Sequence, residues 1–144
     1  MQRRGVQACD DDREDGMKRV TGIGGIFFKA KDAPALRSWY QRHLGIDVQS
    51  WGGTAFTWDE ANGKPGAGST IWSIAPHDGG QFAQSVAPFM INYRIDDLHA
   101  LVGALKAEGC KVLDRIDDNE FGKFAWVLDP EDNKVELWQP ADGH

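Results

Sequence analysis

The sequence is poor in most features that would point directly to a function. It has two cysteines, Cys9 and Cys110, with no CxxC spacing, so they form no disulfide framework. The N-terminus lacks the apolar centre of an export signal, and with it absent the cysteines suggest a reducing, cytoplasmic setting. No apolar run approaches the ~20 residues that cross a bilayer. Basic charge is not in excess: the formal net charge is −6, which argues against nucleic acid and against an anionic membrane as partners. There is no GxSxG and no Cys–His pair in the context a nucleophile needs. Histidines are few and badly placed for catalysis: His43 at a helix end, His77 in a loop, His99 at a helix start and His144 at the end of the chain. All four are expected on the surface.

What the chain does have is tryptophan. Six in 144 residues are many, and most are expected in the core. Trp51, Trp58, Trp72 and Trp138 fall on or beside expected strands, where an aromatic-lined pocket is the other place for them. The length suits one domain, or two small halves sharing a core. Residues 1–17 stand apart. "MQRRGVQACDDDREDG" has no periodicity and carries a charge run, as a disordered or spurious extension would. "MKRVTGIGGIFF" then starts like a domain, with Met17 as a candidate natural start.

From residue 18 the chain reads strand, helix, strands, and then the same again. "RVTGIGGIFFKA" (19–30) is an apolar, glycine-rich strand, and Asp32 is placed to cap a helix with Pro34 in its first turn. Leu36, Trp39, Tyr40 and Leu44 recur at helical spacing, and Gly45 ends the helix. "IDVQSW", "TAFTWD" and "GSTIWSIA" read as strands separated by "GG" and "EANGKPGAG". After a loop at 76–87, "FMINYRI" is a strand again. Asp96 or Asp97 then caps a helix with Leu98, Leu101, Val102 and Leu105 on its apolar stripe, and Gly109 ends it. "CKVLDRI", "FGKFAWVLD" and "NKVELWQ" supply the last strands. The expected fold is α+β: two βαβββ modules, 18–76 and 88–140, within one domain at 18–140, pairing curved mixed sheets around a shared cavity.

The stretches "GIFFKAKDAPALRSWYQRHLGI", "FMINYRIDDLHALVGALKAEG" and "FGKFAWVLDPEDNKVELWQ" resemble the vicinal oxygen chelate superfamily, the glyoxalase, bleomycin-resistance and extradiol-dioxygenase group. The resemblance covers residues 18 to 140. It implies a homodimer and up to four metal ligands, usually His, Glu or Gln, on the inward faces of the strands that open and close each half. Carried over, those positions fall on Gly25, Trp72, Met90 and Glu136. Glycine offers no ligand, tryptophan only an N–H donor, and methionine is too soft for Mg, Mn or Zn. Only Glu136 is retained, so no metal and no other cofactor is expected; a divalent metal is what the family would suggest, but three of its positions are lost.

Strand alternation gathers a candidate pocket from Phe27, Trp72, Asn92, Arg94, Glu136 and Trp138, with Glu120 near its mouth. A buried carboxylate must be paired or protonated. Glu136 either forms an ion pair with Arg94 that fills the vacated metal position, or binds a ligand. The favoured reading is a metal-independent binding protein for a small aromatic or amphipathic molecule. The alternatives are a lyase, isomerase or dioxygenase with an atypical metal site or with Glu136 as general base, and an interaction module whose cavity is filled by its own side chains.

Overall fold

The structure, a computed structural model, describes residues 19–58, 68–82 and 87–144. The N-terminal extension and nearly all of the "EANGKPGAG" turn lie outside the described residues. Within them the chain runs β1 (Gly22–Ala30), α1 (Ala33–Leu44), β2 (Gly53–Thr57), β3 (Ser69–Pro76), a short 3-10 turn (Gly80–Phe82), β4 (Phe89–Arg94), α2 (Leu98–Ala107), β5 (Lys111–Asn119), β6 (Gly122–Leu128) and β7 (Lys134–Pro140).

Each helix starts on an aspartate that satisfies a free N–H of the first turn. Asp32 accepts from Ala35 N at 3.0 Å and Asp97, rather than Asp96, accepts from Ala100 N at 3.1 Å. The glycines past their ends, Gly45 and Gly109, are left-handed at φ 69° and 84°, a conformation that costs glycine nothing.

The expected strand "IDVQSW" does not form. Its backbone goes into a turn instead, with Gln49 N donating to Gly53 O and Gly52 N to Gln49 O, while Ile46 and Val48 pack against the core from irregular backbone. The first half is therefore one strand short of the second.

All seven strands belong to one mixed sheet, in the order β2-β3-β1-β4-β7-β6-β5. The two halves meet through the antiparallel pair β1 and β4, and within each half the first strand runs parallel to the last, β1 with β3 and β4 with β7. Both helices cover the same face. On it Leu98, Leu101 and Val102 of α2 pack on Ile95, Ala125 and Leu137, and Ala33, Leu36 and Tyr40 of α1 pack on Phe28, Trp72 and Ile74. Trp39 and Leu44 share the helical spacing but not the packing, and stay 49% and 60% exposed. Because alternate side chains cross a sheet, residues one step away from these core positions point to a face that carries no helix.

Candidate functional site

Glu136 lies on that helix-free face, and register identifies its neighbours. It pairs with Asn92 of β4 on one side and with Trp126 of β6 on the other. Asn92 Nδ2 donates to Oε1 at 2.6 Å, and Trp126 Nε1 donates to Oε2 at 2.9 Å. The register of β7 is held by the turn before it. Asp129 accepts from the backbone N–H groups of Glu131 and Asn133 and from Asn133 Nδ2, and these bonds to Asn133 hold its carboxyl below its usual range. The "DPEDN" stretch is thus a locked Asx turn that delivers Glu136 opposite its two donors.

Among the described residues no cation forms an ion pair with this carboxylate. Glu136 is half-buried as a residue, yet its carboxyl is deep enough that burial dominates and pushes its pKa up. The bonds from Asn92 and Trp126 and the charge of Lys134 oppose that shift, and Asp117 adds to it. Lys134 and Arg115 lie over the Trp126 ring, each 5.7 Å from its centroid. Burial pushes the Lys134 ammonium down, with Glu136 opposing. Arg115 is tied to Asp117 by two hydrogen bonds. Asn92 is 1% exposed, and its Oδ1 is buried without a hydrogen-bond partner.

The expected ion pair between Arg94 and Glu136 is not formed. Arg94 pairs in register with Trp138, two residues further along the β4–β7 ladder. Its guanidinium lies 4.9 Å from the Trp58 ring and 5.2 Å from the Trp138 ring, and Nη1 donates to the main-chain oxygens of Ser69 and His144. Burial lowers its pKa. A bulge in β1 between Ile23 and Gly25 turns two successive glycines to the helix-free face. A Cβ on Gly24 would overlap Asn92 Oδ1 and lie 2.9 Å from the Trp138 ring, and one on Gly22 would lie 2.9 Å from Trp58. "GIGG" therefore makes room for Asn92, Trp138 and Trp58.

Trp72 does not belong to this site. It faces α1, with its ring 5.1 Å from that of Tyr40 and 6.0 Å from that of Phe28, because its register partner Ile26 lies on the helix side. The neighbours that do reach the helix-free face are Ile71 and Ser73, paired with Gly25 and Phe27. Phe27 is on the expected face, opposite Met90. Glu120 is exposed in the β5–β6 turn, and the contact from that turn comes from the next residue, whose carbonyl accepts from Trp138 Nε1 at 2.9 Å. Trp126 and Phe124 were not among the expected site residues. The alternation Phe124, Trp126, Leu128 within "FGKFAWVLD" held that signal, since it matches Glu136 and Trp138 across the ladder.

The family's metal positions can now be tested on their surroundings. Gly25, Met90 and Glu136 share the face, but one has no side chain, one is a thioether, and the carboxylate already accepts from two protein donors. Among the described residues no three His, Cys, Asp or Glu side chains gather as a metal site would require. This donor set does not fit a chelated divalent cation.

A glyoxalase-like domain model matches residues 25–138. The chain belongs to the glyoxalase-like domain family. Solved structures with the same fold include a Streptomyces coelicolor methylmalonyl-CoA epimerase variant in complex with 2-nitronate-propionyl-CoA, at 18% identity and TM-score 0.61 over 87% of this chain and 98% of that one. The methylmalonyl-CoA epimerase of Mycobacterium tuberculosis has 18% identity and TM-score 0.55, over 86% and 91%. A glyoxalase/bleomycin resistance protein/dioxygenase superfamily member from Vibrio splendidus 12B01 has 11% identity and TM-score 0.52, over 81% and 97%. At these identities the likeness is one of fold. No curated protein matches the chain. None of the described helices of this glyoxalase-like chain is long and apolar enough to cross a membrane.

Proposed function

We propose that this glyoxalase-like chain binds a small aromatic or amphipathic molecule on the helix-free face, around Glu136, without a chelated metal. The observation that carries this reading is the state of Glu136. Both its oxygens are held by neutral donors, Asn92 and Trp126, and each keeps a further lone pair for a ligand N–H or O–H. Phe27, Phe124 and Trp126, all partly exposed, supply the apolar wall such a ligand needs. The same reading takes the protein as a homodimer in a reducing cytoplasm, on the family resemblance and the two unframed cysteines.

A second reading has its own support. A carboxyl whose pKa is raised by burial is a better base at neutral pH than an ordinary one, and several fold neighbours are epimerases. Glu136 would then take a proton from a carbon acid bound over Trp126, with Asn92 and Trp126 holding the carboxylate in place.

The deciding experiment pairs elemental mass spectrometry with a neutral aromatic probe. Protein purified without chelators is expected to carry no stoichiometric metal. Indole is expected to shift the Trp126 side-chain N–H resonance, and more weakly so in Glu136→Gln. One metal atom per chain, or indole binding that leaves Trp126 unmoved, would overturn the proposal.

A further inference from the structure

We infer that the open edge of β2 pairs with β2 of a second copy of this chain, antiparallel and centred on Phe56. The inference rests on the homodimer of the proposed function and names the surface that builds it.

The internal repeat shows where a strand is missing. In the second half β7 pairs with β6, and the outer edge of β6 is covered by β5. In the first half β3 pairs with β2 in the same antiparallel sense. There "IDVQSW", the counterpart of β5, forms no strand, and β2 is left at the end of the sheet.

Native sheets protect such edges with charge and bulges. The opposite edge, β5, has both: Lys111, Asp114, Arg115, Asp117 and Asp118 lie along it, and its register shifts between Val112 and Ile116. Residues 50–58, "SWGGTAFTW", carry no charge. Ala55, Phe56 and Thr57 are exposed, as is Trp51 beside them. On a chain of net charge −6, a neutral edge is where two copies approach with least repulsion.

The ladder with β3 decides which groups this edge offers. Trp58 N donates to Gly68 O, and Ile74 N to Gly52 O. Such bonds recur at every second residue of an antiparallel strand. Gly52, Thr54, Phe56 and Trp58 therefore bond to β3, while Gly53, Ala55 and Thr57 turn outward. Gly53 O already accepts from Gln49 N at 2.8 Å. Ala55 and Thr57 each keep an N–H and a C=O with no partner among the described residues.

These groups select the register. Setting Ala55 of one copy opposite Ala55 of the other would bring Thr57 to Gly53, whose oxygen is taken. Setting Ala55 opposite Thr57 uses every free group on both copies. Phe56 then meets Phe56 across a two-fold axis. The two form a non-hydrogen-bonded pair with Cα atoms about 4.5 Å apart, close enough for the aromatic side chains to pack together.

The test is sedimentation of the full chain over a range of concentrations, with variants at the edge. Wild type is expected to be a dimer that dissociates on dilution. Ala55→Pro removes a donor that its own sheet does not use, as an edge strand tolerates, but it deletes half of the bonds between copies. A dimer Kd raised at least about tenfold is expected. Phe56→Lys, at a position 48% exposed, is expected to do the same by setting like charges face to face. In a Cys9→Ser, Cys110→Ser background, Phe56→Cys is expected to form a disulfide between copies under mild oxidation. Phe89→Cys, at a 45% exposed position of β4, is expected to stay reduced. A dimer left intact by both edge variants, or equal cross-linking by the two cysteine variants, would overturn this edge alone. A monomer at every concentration would overturn the homodimer with it. The indole shift at Trp126 reads the ligand site separately and is expected to be unchanged in Ala55→Pro.

Discussion

Replacing Glu136 by Gln separates the charge of the site from its shape. The substitution keeps the length of the side chain and an oxygen for Trp126 Nε1. It also puts an N–H2 where a protonated carboxyl would carry its hydrogen. That group can donate to Asn92 Oδ1, the buried acceptor now without a partner, once the Asn92 amide turns over. Glu136→Gln is therefore expected to fold.

The consequence appears in stability against pH. In the unfolded chain Glu136 releases its proton near its ordinary value of 4.5, while burial raises the value in the fold. Below the unfolded value both states hold the proton and the group contributes no slope. Above it the unfolded state gains by ionising while the native state still holds its proton. Wild-type stability must then fall with rising pH until the native carboxyl ionises too, at no more than about 1.4 kcal/mol per pH unit for one proton. Lys134, Asp117 and Arg115 surround the site in both proteins, so the charge they place around it is common to both curves. Urea unfolding followed by tryptophan fluorescence at fixed salt, from about pH 4 to about pH 8, gives both curves. Wild type minus Glu136→Gln is expected to fall with pH and then level. A flat difference would mean a carboxyl with no shift on folding, and one that rises a carboxylate stabilised in its charged form; either would refute the account of the site.

Two further outcomes follow from the same geometry. Gly24→Ala would push a methyl into Asn92 Oδ1 and the Trp138 ring; a loss of about 1–3 kcal/mol is expected from overpacking, and an unchanged urea midpoint would show that the approach is not tight. Trp126→Phe removes one of the two donors that hold the Glu136 pKa down, so the falling limb of the stability curve is expected to extend to higher pH, with a loss of about 1 kcal/mol at neutral pH; a limb displaced to lower pH would contradict the assigned causes.

Much of the fold could be read from the chain because its signals were local. Asp32, Gly45, Asp97 and Gly109 mark helix ends through their own backbone chemistry, and the stripe Leu98, Leu101, Val102 needs only its spacing. The errors arose where the outcome depended on a partner. "IDVQSW" alternates like a strand, but Gln49 exchanges its backbone bonds with Gly52 and Gly53 in a turn that no local pattern announces. Trp72 was assigned to the wrong face because a strand's alternation gives two sets of side chains without saying which set meets the helix. Register with Ile26 decided that. Glu136 and Trp138 lie on the helix-free face as the alternation of the closing strand predicts, because the "DPEDN" turn fixes where that strand begins. Trp126 was missed because its role depends on the β6–β7 register, a pairing that sequence spacing alone does not number.

The losses and the gains at this site are coupled. A ligand side chain at position 24 or 25 would need the volume that Asn92 Oδ1, the Trp138 ring and Phe27 now fill, since an added Cβ at either glycine already meets one of these groups. The Glu136 carboxylate is held by an amide and an indole N–H, both neutral. Neutral donors offset burial less than a charge does, so a raised pKa is the physical result of burying Glu136 between an amide and an indole. Arg94, the cation expected to pair with Glu136, is held instead at the end of the same ladder by two indoles, the Ser69 carbonyl and an oxygen of the terminal His144.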